Sequence, residues 1–179
     1  MDNKVNLDIL EAEFLDASGD VASWCENQYD KIFSQYFDNV SDLYLRLTKT
    51  KTKITDEELE WVLTFLPLQL IAVSEDLSLY KLNNNNLKIY IKKLELESAH
   101  NSTAKTVTES KDIAYLDSAS YRMLSNAYAS VITRVENQIN FSRELIMSAK
   151  KIWDSRKSTM EASPINSVNV ELEDYVMND

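Results

Sequence analysis

A single glycine, Gly19, stands in a chain of 179 residues, and only two prolines, Pro67 and Pro164, accompany it. Hairpins and tight turns draw on glycine for positive φ, and phosphate-cradling loops need several. A chain of this size with one glycine builds few of either. Long helices joined by few connections are the remaining solution, so the fold class expected is all-α.

The apolar spacing supports this and divides the chain. Residues 1–19 hold a short amphipathic pattern (Leu7, Leu10, Phe14, Leu15) and read as an N-terminal arm. A stripe from Val21 through Trp24, Gln28, Tyr29, Ile32, Phe33, Tyr36, Val40, Leu43, Tyr44 and Leu47 recurs mostly at steps of three and four, predicting one helix over about 20–47. The run 48–53 alternates Thr and Lys and reads as a connector. Thr55 then stands three residues before Glu58, a capping box that opens a helix over 56–66. Pro67 predicts a break, with a new helix over 68–97.

That next helix carries a coiled-coil-like seam: Leu70, Val73, Leu77, Tyr80, Asn84, Leu87, Ile91 and Leu94 alternate at three and four. Asn84 is the polar residue on it, of the kind that sets register or oligomer state. The alternative for Asn83 to Asn86 is a mid-helix irregularity, because asparagine is a poor helix former. Residues 98–112 lose the apolar pattern and read as a solvated helix or as a loop that orders on a partner. A second seam follows within a helix over 116–157: Tyr121, Leu124, Tyr128, Val131, Val135, Gln138, Ser142, Leu145, Ala149 and Ile152. A helix of about 40 residues is roughly 60 Å long and buries such a seam only against an equally long neighbour. The 68–97 helix and a second copy of the chain are the candidates, so a helical hairpin or bundle, homo-oligomeric through both seams, is expected. Residues 158–179, rich in Ser, Asn and acids, read as a disordered acidic tail, with Val170 to Met177 as a partner-docking peptide or a solubilising end.

Catalytic constellations are missing from the sequence. One cysteine (Cys25) and one histidine (His100) allow neither a disulfide framework nor a multi-Cys zinc site. Cys25 sits among Trp24, Tyr29, Ile32 and Phe33 and reads as a small core residue. Asp56/Glu60 and Glu57/Glu60 are explained by a helix start, and Glu97-x-x-His100 has no second copy to complete a metal core. No cofactor and no enzymatic activity are expected. Met1 to Leu10 is polar and acidic, and Trp61 to Val73 is short and carries Pro67, so no membrane partner and a cytoplasmic location are expected.

The formal charge is −10 but uneven: residues 1–80 hold 6 Lys/Arg and 16 Asp/Glu, residues 81–157 hold 13 and 8, and residues 158–179 hold 0 and 5. Within the basic middle block, Lys88, Lys92 and Lys93 crowd the end of the first seam helix. Arg134, Arg143, Lys150, Lys151 and Lys157 mark the second, with Arg143, Lys150 and Lys157 seven residues apart on one face. Such a row suits a phosphate backbone, or else a solvated flank pairing with Glu136, Glu144 and Asp154.

Lys105-Thr106-Val107, Asp112, the run Ala129 to Arg134, the run Phe141 to Ile146 and Lys151-Ile152-Trp153 resemble the UvsY recombination mediators of T-even-type bacteriophages, over residues 105–157. The resemblance implies a small helical oligomer that binds single-stranded DNA and helps load a recombinase over a single-strand-binding protein. In that reading the eight basic residues named above contact phosphate. Two other readings stand beside it. One is a phage structural, scaffolding or adaptor protein with no nucleic-acid role, suggested by the acidic first half and aromatic stripe. The other is an acidic inhibitor of a host enzyme.

Overall fold

The computed structural model describes residues 20–46 and 54–162 together with Ala12 and Phe14, with side chains described to residue 159. The remainder of the arm, Leu47 with the connector 48–53, and residues 163–179 lie outside the described residues, while residues 158–162 of the expected disordered tail are helical. Five helices follow in order: α1 (Val21–Ile32), α2 (Ser34–Leu45), α3 (Asp56–Asn101), α4 (Val107–Asp117) and α5 (Ala119–Ala162). Among the described residues there is no strand, and the all-α expectation is met.

Three of the described helix starts carry a side-chain cap. The Asp20 carboxylate accepts from the Ala22 amide at 3.0 Å to open α1. At α3 the Thr55 hydroxyl accepts from the Glu58 amide at 3.2 Å, while Glu58 accepts from the Thr55 amide at 2.9 Å. This is the capping box read from the sequence, and it satisfies two of the amides that a helix start leaves without partners. A related cap opens α4, where the Thr106 hydroxyl accepts from the Glu109 amide at 3.1 Å while the Glu109 carboxylate accepts from the Lys105 amide at 3.0 Å.

α3 and α5 form an antiparallel hairpin. Asp56 pairs with Arg156 at one end, Tyr80 stacks on Tyr128 in the middle, and Glu95 meets Arg122 at the other. Each therefore serves as the long neighbour that the other needs. Both seams are buried within one chain: Val73, Leu87, Leu124, Val131 and Val135 are fully enclosed, with Leu70, Leu77, Ile91 and Leu145 close behind and Leu94 and Ile152 half-buried. The oligomer seam expected from the sequence is thus consumed by intramolecular packing. Asn84 lies inside the hairpin. It is 3% exposed, and its side-chain oxygen accepts from the buried Ser125 hydroxyl at 2.8 Å.

α1 and α2 supply the third strand of the bundle. On the α5 side Trp24 packs on Tyr128 at 5.2 Å and Tyr44 on Phe141 at 4.5 Å. On the α3 side Phe33 meets Tyr80 edge-on at 5.6 Å, and the Tyr36 hydroxyl donates to Asp76 at 2.6 Å. The aromatic stripe that suggested the adaptor reading is core, since Trp24, Tyr29, Phe33 and Phe37 are buried. Phe14 joins them, edge-on to Trp24.

Several boundaries differ from expectation, and the helix expected over 116–157 is α5, Ala119–Ala162. The helix over 20–47 is broken at Phe33, whose backbone (φ −113°, ψ −25°) leaves helical geometry while its amide still donates to the Tyr29 carbonyl. Pro67 lies inside α3 and does not end it. Proline withdraws one hydrogen bond there, and the fully buried Val62 and Leu66 before it and Leu70 and Val73 after it hold the helix to α5 and α2. Residues 83–86 are regular helix, and 98–112 divides into the last turn of α3, a short turn and the start of α4.

Candidate interaction surfaces

α3 carries two apolar lines, and only one faces the core. Buried residues run Leu59, Val62, Leu66, Leu70, Val73, Leu77, Tyr80, Asn84, Leu87 and Ile91. On the opposite side Phe65, Leu68, Ile71, Leu79, Leu82, Ile89 and Leu96 are 53% to 73% exposed. Apart from Ile71, which sits one position to the side, successive members of this outer line, with Ala72, Glu75, Asn86 and Lys93 in the gaps, also step by three and four over about 47 Å of helix. The polar side chains beside it turn away from a ligand. Ser74 donates to the Leu70 carbonyl at 2.6 Å and Ser78 to the Ser74 carbonyl at 2.7 Å, so both hydroxyls are spent on their own helix. The middle of the line opens into a shallow groove of about 740 Å³, lined by Ile71, Glu75, Leu79 and Leu82 and closed on the α5 side by Arg143.

Two apolar faces also explain why an 18-residue window of α3 reaches a mean hydropathy of 1.4, apolar and long enough by composition to cross a membrane, while only 28% of it is buried. The expectation drawn from Trp61 to Val73 alone missed this, because α3 is continuous through Pro67.

A second surface lies where α3, α4 and α5 meet. α4 folds back on the end of α3, with the Ser110 hydroxyl donating to the Ala99 carbonyl at 2.8 Å and the Ser118 hydroxyl to Glu95 at 2.9 Å. A groove of about 560 Å³ opens there among Leu96, Ala99, Ala114 and Tyr115, with Lys92, Lys111 and Arg122 around it. Arg122 is already committed: it pairs with Glu95 and lies 4.5 Å over the Tyr115 ring.

A third surface is the described end of α5. Lys150, Lys151, Trp153 and Lys157 are exposed, and Lys150, Trp153 and Lys157 share one face by their spacing. Arg156 points the other way and holds this end to α3, donating to the Ile54 carbonyl at 2.6 Å and pairing with Asp56.

The eight basic residues expected to contact phosphate are therefore divided. Lys88, Lys92 and Lys93 lie at the α4 end, and Lys93 pairs with Glu97 at 3.7 Å. Lys150, Lys151 and Lys157 lie at the Asp56 end, on the order of 50 Å away along the hairpin. Arg143 stands between them, exposed. Arg134 belongs to the packing of α1: its guanidinium pairs with Glu26 at 2.9 Å and lies 3.6 Å over the Tyr29 ring. Part of the charge asymmetry between the two halves is thus spent inside the bundle, acid of the first half against arginine of the second.

The remaining chemical groups are quiet. The Cys25 thiol donates to the Ala127 carbonyl at 3.4 Å, and burial raises its ionisation above the ordinary thiol range. His100 is exposed on the last turn of α3. Among the described residues no three His, Cys, Asp or Glu side chains converge as a metal site requires.

Comparison with family models, with curated proteins and with solved structures yields no match to this chain.

Proposed function

We propose that this chain is a non-catalytic helical adaptor or scaffolding protein whose working surface is the outer face of α3. The observation that carries the reading is the second apolar line on that helix. Scattered exposed apolar residues need no explanation, but a contiguous apolar surface of several hundred Å² marks an interaction site. Here seven large side chains lie along one face, opposite a core face already complete.

Site-specific photo-cross-linking in cells tests it. A photo-reactive residue at Leu82, on the outer line, is expected to give discrete cross-linked products. The same residue at Glu144, on the exposed side of α5, gives none. Equal yields at both positions, or none at either, remove the reading.

A second reading, a single-stranded DNA-binding accessory of the kind the UvsY resemblance implies, is favoured by one feature, the exposed Trp153 between Lys150 and Lys157. An aromatic platform among cations suits base stacking with phosphate contact. Of the three tryptophans, Trp24 is buried and Trp61 half-buried, so quenching of Trp153 reports occupancy. Addition of oligo-dT at low salt should quench fluorescence steeply, and Trp153→Phe should abolish the response. No quenching at low salt removes this reading and leaves the first untouched.

A further inference from the structure

The outer line of α3 is not uniformly apolar, and its polar members say what covers it. Glu75, Asn86 and Lys93 stand in register with Phe65, Leu68, Leu79, Leu82, Ile89 and Leu96. All three are exposed, and among the described residues Lys93 has only the exposed Glu97 as an ion partner, at 3.7 Å. A purely apolar cover, such as a bilayer interior, leaves Glu75 and Asn86 without partners, which is costly.

We infer, resting on the reading of this face as the working surface, that its partner is a second copy of the same helix, packed antiparallel in an isologous dimer. In a parallel pairing Glu75 faces Glu75 and Lys93 faces Lys93 of the second copy, two like-charge contacts. Reversal removes both. With the two-fold axis between Leu79 and Leu82, these two residues meet each other across it. Glu75 then faces Asn86, whose amide donates to the carboxylate. Ala72 faces Ile89, small against large, and Phe65 faces Leu96. Lys93 faces Leu68, where its aliphatic stem packs and its ammonium reaches solvent. Moving either helix by one heptad loses layers at the ends, and one such shift sets Glu75 against Leu79. The exposed apolar side chains offer roughly 700 Å² per copy, close to the about 800 Å² per partner of a stable interface. Ser74 and Ser78, bonded to their own helix, add no competing demand.

Sedimentation velocity on the full chain over about 1–100 µM, a range that spans micromolar association, should show the 20.6 kDa chain giving way to a species of twice that mass. Leu79→Glu with Leu82→Glu should keep it monomeric throughout, with the circular dichroism and dilute-solution melting of the parent. A spin label at Glu60→Cys, in a Cys25→Ser background, reads the direction. The antiparallel pair sets the two labels about 60 Å apart, and a parallel pair sets them within about 20 Å. A chain monomeric at every concentration overturns the inference, as does a dimer that survives the double substitution or a short label distance. Flotation of a monomeric chain with phosphatidylcholine vesicles overturns it in favour of a lipid surface. If the chain is monomeric yet Leu82 still cross-links in cells, the second copy is wrong and the α3 surface stands. If neither is seen, both fall.

Discussion

α3 and α5 are nearly matched, 46 and 44 residues long. They run antiparallel and share one seam, and both turn their other side outward. On α5 that side is mostly polar, with Asn126, Thr133, Asn137, Asn140, Glu144 and Lys151 exposed and Met123 and Met147 as its exposed apolar members. On α3 it is Phe65, Leu68, Ile71, Leu79, Leu82 and Ile89. The same chain therefore follows the rule for a solvated helix on one arm of its hairpin and departs from it on the other. The bundle needs no more than α5 displays, one apolar stripe against the core and one polar face to water. The second line on α3 contributes nothing to the core that this chain forms by itself, which is why its explanation is sought in a partner.

The largest test of the contrast compares two leucines five residues apart on α3. Leu87 is fully buried, and Leu87→Ala should cost about 2–5 kcal/mol in denaturant unfolding. Leu82 is more than half exposed, and Leu82→Ala, measured at dilutions where the chain is monomeric, should stay within about 0.5 kcal/mol. Similar costs at both positions would mean that the outer line is packed in the single chain and the two faces are not distinct.

The next effect concerns what fixes the shared seam. Ser125→Ala removes the donor to the buried Asn84 oxygen and should cost about 1–3 kcal/mol. Asn84→Leu combined with Ser125→Ala removes both polar partners and should recover most of that loss, at the expense of a less exclusive register. If the double substitution is no better than the single one, the pair contributes packing and not register.

The core face was legible from the sequence, and its legibility hid the rest. Both seams stand out because three-and-four spacing holds for eight or more members, and the Thr55/Glu58 box marks where α3 begins. Thr106 and Glu109 stand at the same spacing and open α4, but a polar surround left the segment open between a solvated helix and a loop. The break at Phe33 left no trace, because the apolar spacing passes through it without Gly or Pro. Pro67 erred the other way, as burial on either side outweighed one missing hydrogen bond. The outer line of α3 was present in the spacing of Phe65, Leu68, Leu79, Leu82, Ile89 and Leu96, yet a seam once found absorbs the apolar residues around it. The division of the basic residues was hidden for a different reason. Sequence places Lys88 and Lys150 in one charged block, and only the hairpin geometry sets them at opposite ends.

A smaller effect separates the ends of α3 from its middle. Glu58 is held below the ordinary carboxylate value of 4.5, first by its ion pair with Arg46 and then by the Thr55 amide. A lowered carboxylate contributes stability that is present in full above pH 4.5 and is lost as pH falls below it. The pair is partly open to solvent, so the loss should stay under about 1 kcal/mol. Glu58→Gln should flatten the decline of stability below that pH, and an unchanged acid limb would show that the contact between α2 and α3 does not depend on this charge.

The smallest expected change lies where α1/α2, α3 and α5 meet. Tyr80 is buried, its ring packing edge-on to Phe33 at 5.6 Å and tilted on Tyr128 at 4.5 Å. Its hydroxyl has no hydrogen-bond partner among the described residues, and burial drives its ionisation far above the ordinary value of 10. The ring contacts persist in Tyr80→Phe while a desolvated hydroxyl is removed, so stability should be unchanged or higher by up to about 1 kcal/mol. A loss of more than about 1 kcal/mol would reveal a buried water holding the hydroxyl. The core face of α3 would then carry a second polar anchor beside Asn84, one turn away.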